Sequence, residues 1–302
     1  MLIKQLLATV CLLTLSSTIG LAHTLPTQSM TEKTAASELL ASTQGVKTSA
    51  YPRRIISLSP STTELIYSLG VEDHLLAVSQ YSNYPAAALN KPQIGDAFAV
   101  NVEQLINLQP DLILAWSSEP FSQHLRHLPQ TQVWQSHPQR VQDLIQDIRQ
   151  LATIVNSPKQ AEVEQLQATL QALAQRYQRS QAISGLLLLS EQPLYVLTQE
   201  SIQQDAIALC GAQNSFADIA QGAAVVSRES VLMRQPEFIV FTYSDEAERL
   251  SKQVFIRQSL GLTLEDKQMI GIDADTWSRP TMRFLQALPE LCARIDSLRK
   301  HE

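Results

Sequence analysis

Glycine is scarce: the 302 residues contain 9. No G-x-S-x-G elbow, no phosphate-cradling glycine loop and no H-E-x-x-H pair occurs. That removes the usual sequence signatures of hydrolases and nucleotide-binding enzymes, and a secreted hydrolase stands last among the readings. Tryptophan is nearly as rare, limited to Trp116, Trp134 and Trp277. Basic residues are few against acidic ones, 23 to 29, for a net charge of −6. An acidic chain is a poor partner for nucleic acid. Past the N-terminus no apolar run is long enough to span a bilayer.

The first residues, "MLIKQLLATVCLLTLSSTIGLAHT", set the expected compartment. Lys4 precedes an apolar stretch from Leu6 to Leu15, and small residues surround Gly20 and Ala22. This is the pattern of a secretory signal peptide cleaved after Ala22. The reading makes the mature chain an exported one. Removing residues 1–22 leaves 22 basic against 29 acidic residues, a charge of −7. It also removes Cys11, leaving Cys210 and Cys292. An even count in an oxidising compartment reads as one disulfide, with two separate buried thiols as the alternative. Closing a loop of about 80 residues stabilises by about 4–5 kcal/mol in the chain-entropy picture.

Residues 23–50 are rich in Thr, Ser and Ala, lack a sustained period and read as a leader. Order is expected from "PRRIISLSPSTTELIYSLG". "RIISLS" is strand-like, and Ser61-Thr62-Thr63-Glu64 has capping-box spacing, so a helix is expected from there to Gly70. "LLAVSQ", "DLILAW" and "QVWQS" read as strands between helical stretches, which argues for an α/β lobe with a mostly parallel sheet. After the helix "VQDLIQDIRQLATIVN" comes a longer one. Val163, Leu166, Leu170, Leu173 and Tyr177 step by 3, 4, 3 and 4, one helical face. About 22 residues at 1.5 Å each make a rod of about 33 Å. Strands then resume at "GLLLLS", "LYVLT", "EFIVFT" and "QMIGID", with helices at "SIQQDAIALCG", "SRESVLMRQ" and "PTMRFLQALPELCARIDSLRK". The expected fold is two Rossmann-like α/β lobes joined by one long backbone helix. The expected divisions are an N-terminal lobe over 51–156, the bridging helix over 157–182 and a C-terminal lobe over 183–302.

One sentence is written twice. "NVEQLINLQPDLILAW" (101–116) and "SRESVLMRQPEFIVFT" (227–242) align at an offset of 126, Glu103 on Glu229 and Asp111 on Glu237. Each copy is a short amphipathic helix, a Gln-Pro-acid stop and a buried strand. Leu105 and Leu108, then Val231 and Leu232, are expected to face a core. A glutamate at a helix start interacts well with the helix dipole. As a pair on two quasi-equivalent lobes, Glu103 and Glu229 also suit a symmetric partner with two positive pockets.

The layout resembles the helical-backbone (class III) family of periplasmic substrate-binding proteins that feed ABC importers, most closely its cobalamin-binding branch. The stretches that carry this are "RIISLSPSTTEL", "VSQYSNYP", "LQPDLILAW", "ESIQQDAIALCGAQNSF", "VSRESVLMRQPEFIVFT" and "DADTWSRPTMRF", spread over about residues 53–295. The resemblance implies a monomeric periplasmic receptor, not an enzyme, that hands cobalamin or a related corrinoid to a dimeric ABC permease in the inner membrane. It implies that Tyr81 lies against the ligand and that Trp116 lines the cleft. It implies that Asp275, Thr276, Trp277, Ser278 and Arg279 form the C-lobe contact loop. It matches Cys210 and Cys292 to a family disulfide, and Glu103 and Glu229 to glutamates that dock on permease arginines. Where cobalamin receptors often carry tryptophans, this chain has "IGDAFAVNVE" and "QGAAVVSRE", with Phe98 nearby.

A large flat ligand fringed by amides needs aromatic faces and a few polar groups. Tyr81, Tyr84, Trp116, Phe121 and Trp277 are candidates for the first, Asp275 and Arg279 for the second. Trp134 reads as core. Arg279 and Arg283 have the alternative of a solvated helix start. The histidines are His23, His74, His124, His127, His137 and His301. Only His124 and His127 share a helical spacing, without an acidic or Cys companion, so no metal site is expected. Haem or a ferric siderophore is the alternative ligand, because tyrosine can hold haem iron. No resident cofactor is implied.

Overall fold

The computed structural model describes residues 51–96, 99–116, 122–178 and 181–299. The expected signal and leader segments, Phe98, Phe121, His23 and His301 lie outside them. Strands β1 (Ile55–Ser57), β2 (Leu75–Val78), β3 (Leu112–Ala115) and β4 (Gln132–Gln135) make one sheet in the order β2-β1-β3-β4. Every pair in it is parallel. Strands β5 (Ile183–Glu191), β6 (Leu194–Leu197), β7 (Ala212–Asn214), β8 (Ala223–Val225), β9 (Phe238–Tyr243) and β10 (Met269–Asp273) make the second. Its order is β10-β9-β5-β6-β8, with β7 also on β5. The antiparallel strands β6 and β8 are additions. The parallel remainder runs β7-β5-β9-β10. This is the first sheet's order again, so the repeated sentence marks a repeated topology, with β3 and β9 third in each.

The central strands are buried on both faces, and successive side chains enter different clusters because they leave opposite faces of a sheet. Leu112 and Leu114 join one apolar cluster, Ile113 and Ala115 another. In the second sheet Phe238 and Val240 join the first of these clusters, while Ile239 and Phe241 enter a third. The shared cluster passes through α3 (Val141–Ile154), α4 (Gln160–Tyr177), α5 (Ile202–Leu209) and α9 (Met282–Asp296). Both lobes therefore bury one sheet face against the same helices, and the described residues belong to a single compact unit. Cys210, just past α5, is bonded to Cys292 in α9 across 82 residues.

Several local expectations need correction. Helix α1 runs Pro60–Ser68 and is capped by Ser59, whose hydroxyl accepts from Thr62 N. Proline's fixed φ and missing N–H suit the first helical position, so the cap moves back and Ser61 lies inside the helix. Glu64 is thereby freed from any capping role and is 2% exposed. Helix α4 uses the expected face, with Val163, Leu170, Leu173 and Tyr177 buried. At 18 residues it is about 27 Å long, shorter than expected. In the repeat, α2 (Val102–Leu108) and α6 (Arg228–Arg234) bury Leu105 and Val231. Leu232 is instead 40% exposed, against Gly261. Two further helices were not foreseen: α7 (Glu246–Ser259) and the short α8 (Ala274–Ser278), where a loop was expected.

The Gln-Pro-acid punctuation has a common physical job. Gln109 and Gln235 end their helices in the left-handed region, at φ 41° and 45°. Asp111 then accepts from Arg53 N (2.8 Å) and Arg54 N (2.9 Å) at the head of β1. Glu237 accepts from Ser184 N (2.7 Å) near the start of β5. In both lobes the acid after proline ties neighbouring strands together, β3 to β1 and β9 to β5.

Candidate functional site

In open parallel sheets, ligands sit beyond the carboxyl ends of the strands. Three exposed rings leave that edge of the N-lobe. Tyr81, three residues past β2, is 74% exposed. Trp116, one residue past β3, is 44% exposed, and its ring centroid lies 3.9 Å from that of His137, beyond β4. Tyr84 is 44% exposed beneath the guanidinium of Arg283, 3.9 Å from its ring centroid. Strand spacing puts β2 and β3 about 10 Å apart across β1. Several exposed rings along one edge, more than any single exposed apolar side chain, are the informative pattern on a protein surface.

The Tyr81 loop is held from below. Gln80 N donates to Gly95 O (2.7 Å). The buried Ser82 hydroxyl meets Thr63 Oγ1 (3.0 Å) and Ser79 Oγ (3.1 Å). Thr63 also donates to Ser57 Oγ (2.8 Å). The stretch "SLSPSTTEL" thus builds a buried chain of hydroxyls joining β1, α1 and this loop. Tyr81 itself has φ +63°.

The structure brings the C-lobe segment 275–279 to this loop. Asn83 Nδ2 donates to Asp275 Oδ2 (3.3 Å), and Arg279 Nη1 donates to Asn83 Oδ1 (2.7 Å). Within the segment the side chains differ in availability. The Asp275 side chain is 42% exposed. Thr276 donates its hydroxyl to Asp273 Oδ1 (2.7 Å), and Ser278 donates to Ala274 O (2.6 Å). Trp277 is the correction: at 3% exposure it packs on Phe284 (centroids 5.4 Å apart), and its ring belongs to the core, not to an aromatic face of the cleft. Arg279 is 9% exposed. It and Arg283 are not solvated helix-start residues, because both reach across to Glu64. Residue spacing carried no hint of a pair separated by more than 200 positions.

Glu103 and Glu229 occupy the second position of α2 and α6, and both are exposed. Asn101 caps Gln104 N (3.0 Å) and Ser227 caps Ser230 N (3.2 Å), so the two helix starts share one geometry. The Glu229 carboxyl is held below the usual glutamate range by its own backbone N–H and then by the Ser227 hydroxyl. Among the described residues no group of three or more His, Cys, Asp or Glu could hold a metal ion. His127 Nε2 accepts from Arg126 Nε (3.1 Å).

Comparison with known proteins agrees with this architecture. The family model for "Periplasmic binding protein" matches residues 55–265. A "Vitamin B12-binding protein" of Yersinia pestis is 34% identical over 249 residues, which is 81% of this chain and 87% of that protein. The crystal structure of the periplasmic vitamin B12 binding protein BtuF of Vibrio cholerae superposes with a TM-score of 0.70 at 30% identity. It covers 83% of this chain and 99% of that one. The periplasmic heme-binding protein RhuT of Roseiflexus sp. RS-1 shares the fold, with a TM-score of 0.66 at 22% identity over 82% of this chain and 99% of that one.

Proposed function

This chain belongs to the periplasmic binding protein family, and from that premise we propose that it captures cobalamin or a related corrinoid. It delivers this cargo to a two-fold ABC permease, acts in the periplasm and performs no catalysis. Among the described residues no helix is long and apolar enough to cross a membrane. The observation that carries the ligand assignment is the Tyr81 ring, 74% exposed on a loop that Asn83 joins to Asp275 and Arg279 of the other lobe. A flat apolar macrocycle would cover that ring and Trp116, and Asp275 would accept from the peripheral amides. Thr276, Ser278 and Arg279 complete the proposed rim, and the core position of Trp277 gives it a supporting part.

The reading divides the chain into a signal peptide (1–22), a leader (23–50), lobes at 51–156 and 183–302 and a bridging segment at 157–182. Because the lobes share a core through the bridging helices, capture involves small lobe motions. The two exposed glutamates at equivalent helix starts support docking to a symmetric permease. One observation favours a second ligand: the exposed Tyr81 phenol could hold the iron of haem.

Purified mature protein mixed with cyanocobalamin, hemin or a ferric siderophore and then passed over a sizing column separates these readings. Stoichiometric co-elution of cyanocobalamin is expected; co-elution of hemin or a siderophore alone overturns the corrinoid reading. Reversing Glu103 and Glu229 together to Lys should abolish permease-dependent uptake while leaving ligand binding intact. Uptake that survives the double change removes the docking role.

A further inference from the structure

We propose that Glu64 is the positioning residue of the cleft, acting through Arg279, whose Nη groups are spent on holding the protein. This rests on reading Tyr81 and Asp275 as the ligand-facing groups. Glu64 projects from α1 of the N-lobe and is 2% exposed. Its Oε1 accepts from Arg279 Nη1 (2.8 Å) and Arg283 Nη2 (2.7 Å), and its Oε2 accepts from Arg283 Nε (3.1 Å). A buried carboxylate is tolerated when it is paired and its lone pairs are used.

Arg279 carries the constraint onward. Its Nη1 also donates to Asn83 Oδ1 (2.7 Å). Nη2 is within 2.8 Å of Asp275 Oδ1 and reaches Tyr81 O at 3.5 Å. Each Nη bears two hydrogens, so all four already face acceptors in the protein. Asn83 closes the ring by donating to Asp275 Oδ2. Glu64 thus fixes Arg279, and Arg279 fixes both the backbone of Tyr81 and the carboxylate of Asp275. The neighbouring Thr63 holds the same loop through Ser82. The φ of +63° at Tyr81 is a conformation that a non-glycine residue keeps where its surroundings over-determine it. A site held ready in this way binds more tightly because less order is lost on binding.

The test combines affinity with hydrogen–deuterium exchange on the ligand-free protein. Glu64→Gln keeps the shape and removes the charge. Amides of residues 80–83 and 275–279 should exchange faster while those of β1 and β3 stay protected, and cyanocobalamin affinity should fall about tenfold or more. Unchanged exchange in both segments, or an affinity within about twofold of wild type, overturns the proposal. Should Glu64→Gln not fold, Arg279→Lys asks the same question, because a lysine has no fork to reach Glu64, Asn83 and Asp275 together. The expected signature is again faster exchange before ligand is added. Lost affinity with unchanged exchange would leave Arg279 a contact residue only and sink the positioning role. Failure of the wild-type protein to bind cyanocobalamin removes the corrinoid reading alone; the exchange measurements still decide what Glu64 does.

Discussion

The two lobes share a parallel order and differ in how they fill the same place. Where β1 meets β3, Ile55 stands opposite Leu112. Where β5 meets β9, Gly185 stands opposite Phe238. One lobe uses two middle-sized side chains, the other a glycine and a large ring. A Cβ added at Gly185 would lie 2.2 Å from the Phe238 ring. The lesson is that topology is shared while packing is solved separately in each copy. The tethers differ in the same manner. Asp111 accepts from two backbone N–H groups and Glu237 from one. Arg54 closes the end of α2 from the strand, through Gln109 O and Leu108 O. In the C-lobe Arg234, within α6 itself, reaches out to Ser215 O and Asp218.

The largest expected effect comes from a feature only the C-lobe has. Replacing Cys210 and Cys292 by Ser should lower the unfolding free energy by about 2–5 kcal/mol, read from urea denaturation, with loosened hydrogen exchange concentrated in α5 and α9. Next, Gly185→Ala should cost about 1–3 kcal/mol by overpacking. The equivalent N-lobe change, Ile55→Val, opens a small void and should cost about 0.5–1.5 kcal/mol. Adding Phe238→Leu to Gly185→Ala should recover part of the loss. Simple additivity of the two changes would break the claim that glycine and ring compensate each other. Third, Asp111→Ala should cost about twice as much as Glu237→Ala, at about 1 kcal/mol per hydrogen bond lost. Equal losses would show that the second bond to Asp111 contributes nothing.

The smallest expected effect is electrostatic and lies between the lobes. Asp205, on α5, accepts from Val141 N (2.8 Å) at the head of α3. Burial is the largest influence on it and raises its pKa. An acid that holds its proton more tightly when folded favours the fold while protonated, below both its folded and unfolded values. Stability therefore falls as pH rises through the interval just above the ordinary aspartate value of about 3.9. Asp205→Asn keeps an acceptor for Val141 and should flatten that slope in urea midpoints measured across the interval. A slope left unchanged would move its origin elsewhere, with Asp147, which burial also raises, the next to replace.

Much of the fold is legible because it is local. Strand alternation, the face of α4 and the Gln-Pro stops are set by neighbours a few residues away. Helix α7 was not legible, for an identifiable reason. Its apolar Leu250 and Val254 face solvent at 50% and 47% exposure, while Lys252 is buried with Nζ donating to Thr242 O (2.8 Å). The apolar stripe is therefore scrambled, although Asp245 caps Glu248 N (2.8 Å) as a helix start should be. Of the candidate site, Tyr81 and Trp116 are exposed and Asp275 is half-buried with an accessible carboxylate. Trp277 could not be sorted into the core from its own neighbourhood, because that depends on Phe284 one turn into α9.

By itself the sequence determined the repeated helix–strand unit, the two lobes it implies, the paired exposed glutamates and the two cysteines available to bond. Only the tertiary structure decided that Glu64 is no helix cap but the buried partner of Arg279 and Arg283, 215 and 219 positions away. Caps, turns and periodicity are written in spacings of one to four residues. A charge pair across two lobes is decided by where packed sheets and helices bring distant backbones, and no local spacing records that distance.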